Sequence, residues 1–183
     1  MGNSERATRK SKVGEKMNIK HTKPQLTIFA DASMHHKKRK AGYGCWIISN
    51  DKPWETFSGF CKWYKDSAVV KMEALHQALN HAYSEQFIVQ TTSAIILQSD
   101  NLQTLNILKH LQNSWAVKSR HPKDSTIKRA REVKGPFKQI QKLVCDFDVV
   151  YLRHVKGHIS GSGQHTINGI CDTLAKKAMH KGW

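Results

Sequence analysis

The stretch Leu26-Thr27-Ile28-Phe29-Ala30-Asp31-Ala32-Ser33 places an aspartate directly after a run of residues typical of a buried strand. Asp100 follows a similar run, Ala94 to Ser99. Glu73 and Asp172 lie in segments rich in Ala and Leu, which are typical of helices. Carboxylates are costly in apolar surroundings unless they are paired or bind a metal. Four that converge would form an all-oxygen site suited to Mg²⁺ or Mn²⁺.

The charge of the chain indicates a polyanionic partner. Its 30 Lys and Arg residues outnumber 14 Asp and Glu, which gives a net charge of +16. A field of this sign is typical of proteins that bind nucleic acids. The basic residues are dense in residues 1–24 and again in residues 114–138. A magnesium site beside a nucleic acid suggests phosphodiester chemistry.

Composition indicates a globular protein of one domain. The 183 residues are 39% hydrophobic and 24% charged, with no apolar run long enough to span a membrane. The N-terminus lacks the apolar core of a signal peptide, so we expect a cytoplasmic protein. The spacing of the cysteines excludes a CxxC zinc or redox motif. We predict a flexible basic arm over residues 1–24 and a folded domain over residues 25–183.

Hydrophobic periodicity predicts the order β-β-β-α-β-α-α-β-α, an α/β domain with one mixed sheet. The residues Asp31 to Ser33 are expected to end the first strand, residues 114–138 to be irregular, and residues 155–168 to form a glycine-containing loop. The predicted strands cover residues 26–30, 41–48, 54–64, 92–98 and 148–154, and the predicted helices cover 67–84, a segment starting just after residue 100, 136–145 and 167–180.

Six short motifs occur in a fixed order on these predicted elements. They are Phe29-Ala30-Asp31-Ala32-Ser33, Gly42-Tyr43-Gly44, Lys71-Met72-Glu73, Gln98-Ser99-Asp100-Asn101, Val155-Lys156-Gly157-His158 and Asn168-Gly169-Ile170-Cys171-Asp172-Thr173-Leu174-Ala175. Together they resemble the type I ribonuclease H (RNase HI) family. The chain departs from the family pattern where Ala30 and Ala32 replace Thr and Gly, and where Val69 and Val70 replace a pair of amide side chains.

The resemblance implies an RNase H-like fold with a five-stranded mixed sheet, in which an antiparallel meander is joined to parallel strands. It implies a nuclease that uses two Mg²⁺ ions, for which Mn²⁺ can substitute. Asp31 would bridge the ions, Glu73 and Asp100 would complete the ligands of one, and Asp172 those of the other. The resemblance also implies that His158 is a mobile proton shuttle or a product-release group, with His165 as an alternative in the same loop.

The expected substrate is an RNA–DNA hybrid duplex. We expect a monomer, and the sequence points to no particular protein partner and to no membrane. The basic stretch 114–138 resembles the substrate-binding protrusion of bacterial family members, whose Lys and Arg side chains would contact phosphates. The candidate nucleic-acid contacts are Ser33, Lys37, Lys38, Asn101, Trp115, Lys118, Arg120, Lys128, Arg129 and Arg131.

Three functions fit the sequence. The first is a metal-dependent endoribonuclease that cuts the RNA strand of hybrids and leaves 5′-phosphate and 3′-hydroxyl ends. The second is a nuclease of the same fold that acts on double-stranded RNA or structured DNA, because Val69 and Val70 stand where the family has its amides. The third is a non-catalytic nucleic-acid-binding module, which retention of all four carboxylates disfavours.

Overall fold

The computed structural model describes residues 25–50, 52–89, 92–116, 134–155 and 163–181. The predicted arm over residues 1–24 lies outside them. The elements in chain order are strands β1 (Gln25–His35), β2 (Lys40–Ser49) and β3 (Glu55–Cys61), helix α1 (Ser67–Ser84), strand β4 (Ala94–Ser99), helices α2 (Leu102–Ala116) and α3 (Lys134–Val144), strand β5 (Val149–His154) and helix α4 (Gly163–Lys181).

The strands form one mixed sheet in the order β3-β2-β1-β4-β5. Strands β1, β2 and β3 pair as an antiparallel meander, whereas β4 runs parallel to both β1 and β5. The pairing of β1 with β4 ends where Phe29 of β1 lies opposite Gln98 of β4, at the carboxyl edge of this parallel pair. This register brings the residues that follow, Asp31 and Asp100, to the same edge.

Helices cover both faces of the sheet, because alternate side chains of a strand point to opposite faces. Leu26, Ile28 and Ala30 of β1 belong to a core that includes residues of α1, α2 and α3. Phe29, between two of them, packs in a second cluster with Cys171 of α4. The catalytic candidates of α1 and α4 thus approach the edge of the sheet from opposite faces.

Side-chain caps fix where two of the helices begin. The Asp66 carboxylate accepts a hydrogen bond from the Ala68 N–H at 2.8 Å, and α1 follows directly. The Asn101 side chain accepts one from the Thr104 N–H at 2.9 Å at the start of α2. Asp66 follows β3 and Asn101 follows β4, so the two caps determine where α1 and α2 begin after these strands.

Gly44 allows α4 to pack closely on β2. A Cβ atom at this position would collide with the Cys171 carbonyl oxygen and would lie 2.7 Å from the Leu174 Cβ. Gly44 is also the register partner of Asp31. The close approach therefore sets the position of α4 relative to the strand that carries Asp31.

The predicted fold class, element order and mixed sheet are confirmed, whereas several predicted boundaries were wrong. Strand β3 ends at Cys61 and not at Tyr64. Strand β1 does not end at Asp31 to Ser33 but continues to His35, because its antiparallel pairing with β2 extends to Lys40. Helix α4 begins at Gly163, inside the predicted loop. The predicted irregular stretch 114–138 is helical at both described ends, in α2 and in α3. Among the described residues, no helix is long and apolar enough to cross a membrane.

Candidate active site

Asp31 is a buried carboxylate in the interior of β1. Only 4% of the residue is exposed, and its side chain accepts a hydrogen bond from the Ala32 N–H at 2.7 Å. Burial raises the pKa of Asp31 above its ordinary 3.8, and repulsion from Asp100 raises it further, while the charge of Lys71 opposes both. A carboxylate held in this way needs a cation nearby.

Lys71 supplies that cation from the first turns of α1. Its Nζ lies 2.7 Å from Asp31 Oδ1 and 2.5 Å from Asp100 Oδ1. Burial lowers the pKa of the Lys71 ammonium, but attraction to Asp31 and hydrogen bonds to both carboxylates outweigh burial and raise it above 10.5. We call these three residues the Asp31–Lys71–Asp100 triad.

Asp100 follows β4 and is held through its main chain by β5. His154 Nε2 lies 3.1 Å from the Asp100 carbonyl oxygen, to which it can donate a hydrogen bond. The Val155 N–H donates to the Ser99 carbonyl oxygen at 3.1 Å, one residue earlier. The parallel strands therefore fix the backbone that aims Asp100 at Lys71.

Asp172 reaches the same edge of the sheet from α4. Its carboxylate accepts a hydrogen bond from Lys176 Nζ at 2.6 Å, one helical turn later. That hydrogen bond raises the pKa of Lys176, and the charge of Asp31 contributes to the same shift. The neighbouring Cys171 is buried, and Asp31 is among the causes that raise its pKa. The charges of α4 and of Asp31 therefore lie close enough to interact.

Glu73 makes its described contacts away from Asp31 and Asp100, and its role as a metal ligand stays a prediction. Its carboxylate accepts a hydrogen bond from Gln77 Nε2 at 2.8 Å and lies 3.4 Å from His76 Nδ1. Burial raises the pKa of Cys61 to about 12, and the charge of Glu73 contributes to that shift. Residues two positions apart on a helix point about 200° apart. The Glu73 side chain therefore points toward Cys61 of β3, whereas the Lys71 side chain points toward Asp31 and Asp100.

The donor set of the triad fits a hard divalent cation. Two carboxylates from neighbouring strands already share one positive charge, because Lys71 Nζ contacts an oxygen of each. Carboxylate oxygens are the ligands that Mg²⁺ and Mn²⁺ prefer. Within the described ranges, no group of three or more His, Cys, Asp and Glu side chains is arranged to hold a metal ion. Asp31 and Asp100 are the two side chains that could bind such an ion together, because Lys71 Nζ already lies within contact of both.

A comparison with protein families identifies this arrangement. The RNase H family model matches residues 23–180, which include every described strand and nearly all of the last helix. The chain belongs to the RNase H family. Membership makes the protein a ribonuclease of the hydrolase class. No curated protein sequence matches the chain.

Solved RNase H structures share the fold at low sequence identity. The RNase H1 of the archaeon Halobacterium salinarum is 18% identical, with a TM-score of 0.57, and the match covers 86% of this chain and 99% of that one. The N-terminal RNase H domain of a Mycobacterium tuberculosis protein is also 18% identical, with a TM-score of 0.54 and coverages of 85% and 98%. LC11-RNase H1, isolated from compost and solved with an RNA/DNA hybrid, is 17% identical, with a TM-score of 0.53 and coverages of 85% and 97%.

The structure describes only some of the predicted nucleic-acid contacts of this RNase H family member. Lys37 and Lys38 are exposed in the turn between β1 and β2, and Ser33 is half-buried in β1. Asn101 caps α2 with its side-chain oxygen. The side chains of Trp115 and His165 are not described. The remaining predicted residues lie outside the described ranges: His158, Lys118, Arg120, Lys128, Arg129 and Arg131.

Three residues at the site were missed from sequence. Lys176 could have been found, since a lysine four residues after an aspartate is the spacing of a helical ion pair. Lys71 was noted only as part of a motif, and its contacts with Asp31 and Asp100 depend on how α1 packs beside β1. His154 carries no sequence signal, because its contact with the Asp100 carbonyl depends on the register of β5 against β4.

Proposed function

We propose that this protein is a metal-dependent endoribonuclease that hydrolyses the RNA strand of RNA–DNA hybrids and leaves 5′-phosphate and 3′-hydroxyl ends. The observation that carries the proposal is the pair of carboxylates at the carboxyl edge of β1 and β4, which share one cation in a chain that belongs to the RNase H family. Asp31 is the central ligand, because it is the more deeply buried of the two.

The protein side chains hold the reacting groups in place. Asp31 lies in β1, Asp100 directly follows the parallel strand β4, and Asp172 lies on α4. Two Mg²⁺ ions bound there would activate water and neutralise the charge that develops on the phosphate and on the leaving oxygen. Glu73 is the fourth proposed ligand, and its side chain would need a different rotamer for the carboxylate to reach Asp31 and Asp100. The proposed shuttle, His158, completes the site.

The charge distribution supports a duplex substrate. The net charge of +16 favours association with phosphates and makes the affinity depend on salt. The turn with Lys37 and Lys38 projects from the strand that carries Asp31, so a duplex at the triad can also contact it. Hybrids of near A-form are recognised by shape and by 2′-hydroxyl groups rather than by sequence. We therefore propose a nuclease with little sequence preference.

The test is cleavage of an end-labelled RNA–DNA hybrid in Mg²⁺ and in EDTA. The expected result is cutting of the RNA strand only, in Mg²⁺ only, with 5′-phosphate and 3′-hydroxyl ends. Asp31→Asn is expected to lower the cleavage rate by roughly a thousandfold, because it removes a charge that binds the metal. The control is Asp146→Asn, which makes the same change at an exposed aspartate after α3 and is expected to cut at the wild-type rate.

A second candidate function rests on one specific observation. Val69 and Val70, which stand where the family has amide side chains, are 0% and 1% exposed and belong to the main core. They cannot contact a duplex, so a hybrid must be recognised here by other groups. Double-stranded RNA and structured DNA included as substrates separate the two functions. Faster cutting of either than of the hybrid would replace the first proposal with the second, and binding without any cutting would contradict both.

A further inference from the structure

Lys71 occupies the position between Asp31 and Asp100 that a shared divalent ion would need. Its Nζ contacts Oδ1 of Asp31 and Oδ1 of Asp100. Magnesium requires oxygen ligands at about 2.0–2.1 Å in near-octahedral geometry. An ammonium and a metal ion cannot both lie between these two oxygens. Either Lys71 moves or the metal does not bind both carboxylates through these Oδ1 atoms.

The charges and the side chain indicate which of the two happens. Two carboxylates and one ammonium leave a net charge of −1 at a site where Asp31 is buried. A divalent ion neutralises the pair completely, whereas Lys71 neutralises half of it. The lysine side chain has four rotatable carbons, and 17% of it is exposed, so it has a path to solvent.

We propose that Lys71 is a built-in counter-ion, which holds Asp31 and Asp100 in place without metal and is displaced when a divalent ion binds them. The inference rests on the metal site of the proposed function and deepens it. Lys71 is accordingly a positioning residue, which sets how tightly the site binds metal. It keeps the carboxylates preorganised and at the same time competes with the ion that replaces it.

Two other roles for Lys71 make different predictions. A lysine that only stabilises the fold would leave the metal affinity of the folded protein unchanged when it is replaced. A lysine that contacts the scissile phosphate would, when replaced, lower the cleavage rate at saturating metal without tightening metal binding. A competing counter-ion is the one role in which removal of the ammonium makes metal bind more tightly.

The experiment is Mn²⁺ binding by isothermal titration calorimetry, on the whole protein without nucleic acid. Lys71→Met keeps the aliphatic length and removes the charge, and it is expected to lower the Kd for Mn²⁺ at least about fivefold, the lower end of ordinary coupling between two ligands. Circular dichroism at the same temperature checks that the variant is folded. An unchanged or higher Kd in folded Lys71→Met overturns the proposal.

Two further variants keep the test decisive. Lys71→Arg retains a cation that binds carboxylates bidentately, so its Kd for Mn²⁺ is expected to equal or exceed that of the wild type. A lower Kd overturns the proposal even if Lys71→Met does not fold. Lys177→Met removes an exposed charge of α4 and is expected to change the Kd by no more than about twofold, because exposed charges are screened. An equally large fall in the Kd of Lys177→Met would mean that net charge alone tightens Mn²⁺ binding, and it would overturn the proposal.

The outcome is separable from that of the proposed function. If the wild type does not cut a hybrid but Lys71→Met binds Mn²⁺ more tightly, the nuclease proposal fails and the counter-ion stands. If the wild type cuts a hybrid but Lys71→Met shows no gain, the nuclease stands and the counter-ion fails.

Discussion

Two lysine–aspartate contacts at the site have nearly the same length but different surroundings. Lys71 Nζ lies 2.7 Å from Asp31, and Lys176 Nζ lies 2.6 Å from Asp172. The side chains of the first pair are 17% and 6% exposed, whereas those of the second are 57% and 29% exposed. Distance alone therefore says little about the strength of an ion pair, which depends on how much water the charges have lost.

The two pairs also differ in what they connect. Lys176 and Asp172 are one turn apart on α4, so their contact adds only local support to a helix that exists without it. Lys71 joins α1 to Asp31 of β1 and to Asp100, which directly follows β4, so it connects three segments that are distant in sequence. Loss of the first contact leaves two solvated charges, whereas loss of the second leaves two buried carboxylates that repel each other.

The largest expected effect on stability separates these pairs. In EDTA, Lys71→Met is expected to lower the free energy of unfolding by about 3 kcal/mol, because a buried pair that loses one partner leaves an uncompensated charge. Lys176→Met is expected to leave it unchanged within error. Urea unfolding followed by circular dichroism measures both. Equal losses in the two variants would mean that burial does not distinguish the pairs.

A smaller effect concerns how α4 is held beside the triad. Gly44→Ala is expected to lower the free energy of unfolding by about 2 kcal/mol, since the new Cβ collides with the Cys171 carbonyl oxygen and overpacked cores cost this much. Gly169→Ala is the control, because nothing lies within 4 Å of its added Cβ and alanine favours a helix. Urea unfolding is expected to show a gain for the control, and a loss as large as that of Gly44→Ala would contradict the argument.

The sequence was sufficient for the fold because the apolar periods of its strands and helices are long and regular. It failed at β1 because aspartate and serine are turn formers, while the pairing of Asp31 with Gly44 depends on a partner strand. It failed at the start of α4 because glycines suggested a loop.

The four acidic residues predicted for the site lie on, or directly after, the elements expected for them, and their roles stay predictions. Which of them meet depends on side-chain direction. Lys71 and Glu73 belong to one motif, yet Lys71 contacts Asp31 and Asp100 whereas Glu73 contacts Gln77. Motif spacing fixes the position of a residue on a helix but not the partner that its side chain selects.

The smallest expected effect tests the separate position of Glu73. Burial raises its pKa, but hydrogen bonds with His76 and Gln77 outweigh burial and bring it below 4.5. A lowered folded-state pKa contributes stability that is present above 4.5 and is lost as the pH falls through the folded value. The stability advantage of the wild type over Glu73→Gln is therefore expected to shrink from about pH 5.5 to about pH 3, as measured by urea unfolding. Glu85→Gln makes the same change at an exposed side chain and is expected to follow the wild type. An advantage of the wild type that grows toward low pH would instead place Glu73 among repelling carboxylates, as a residue of the triad would be.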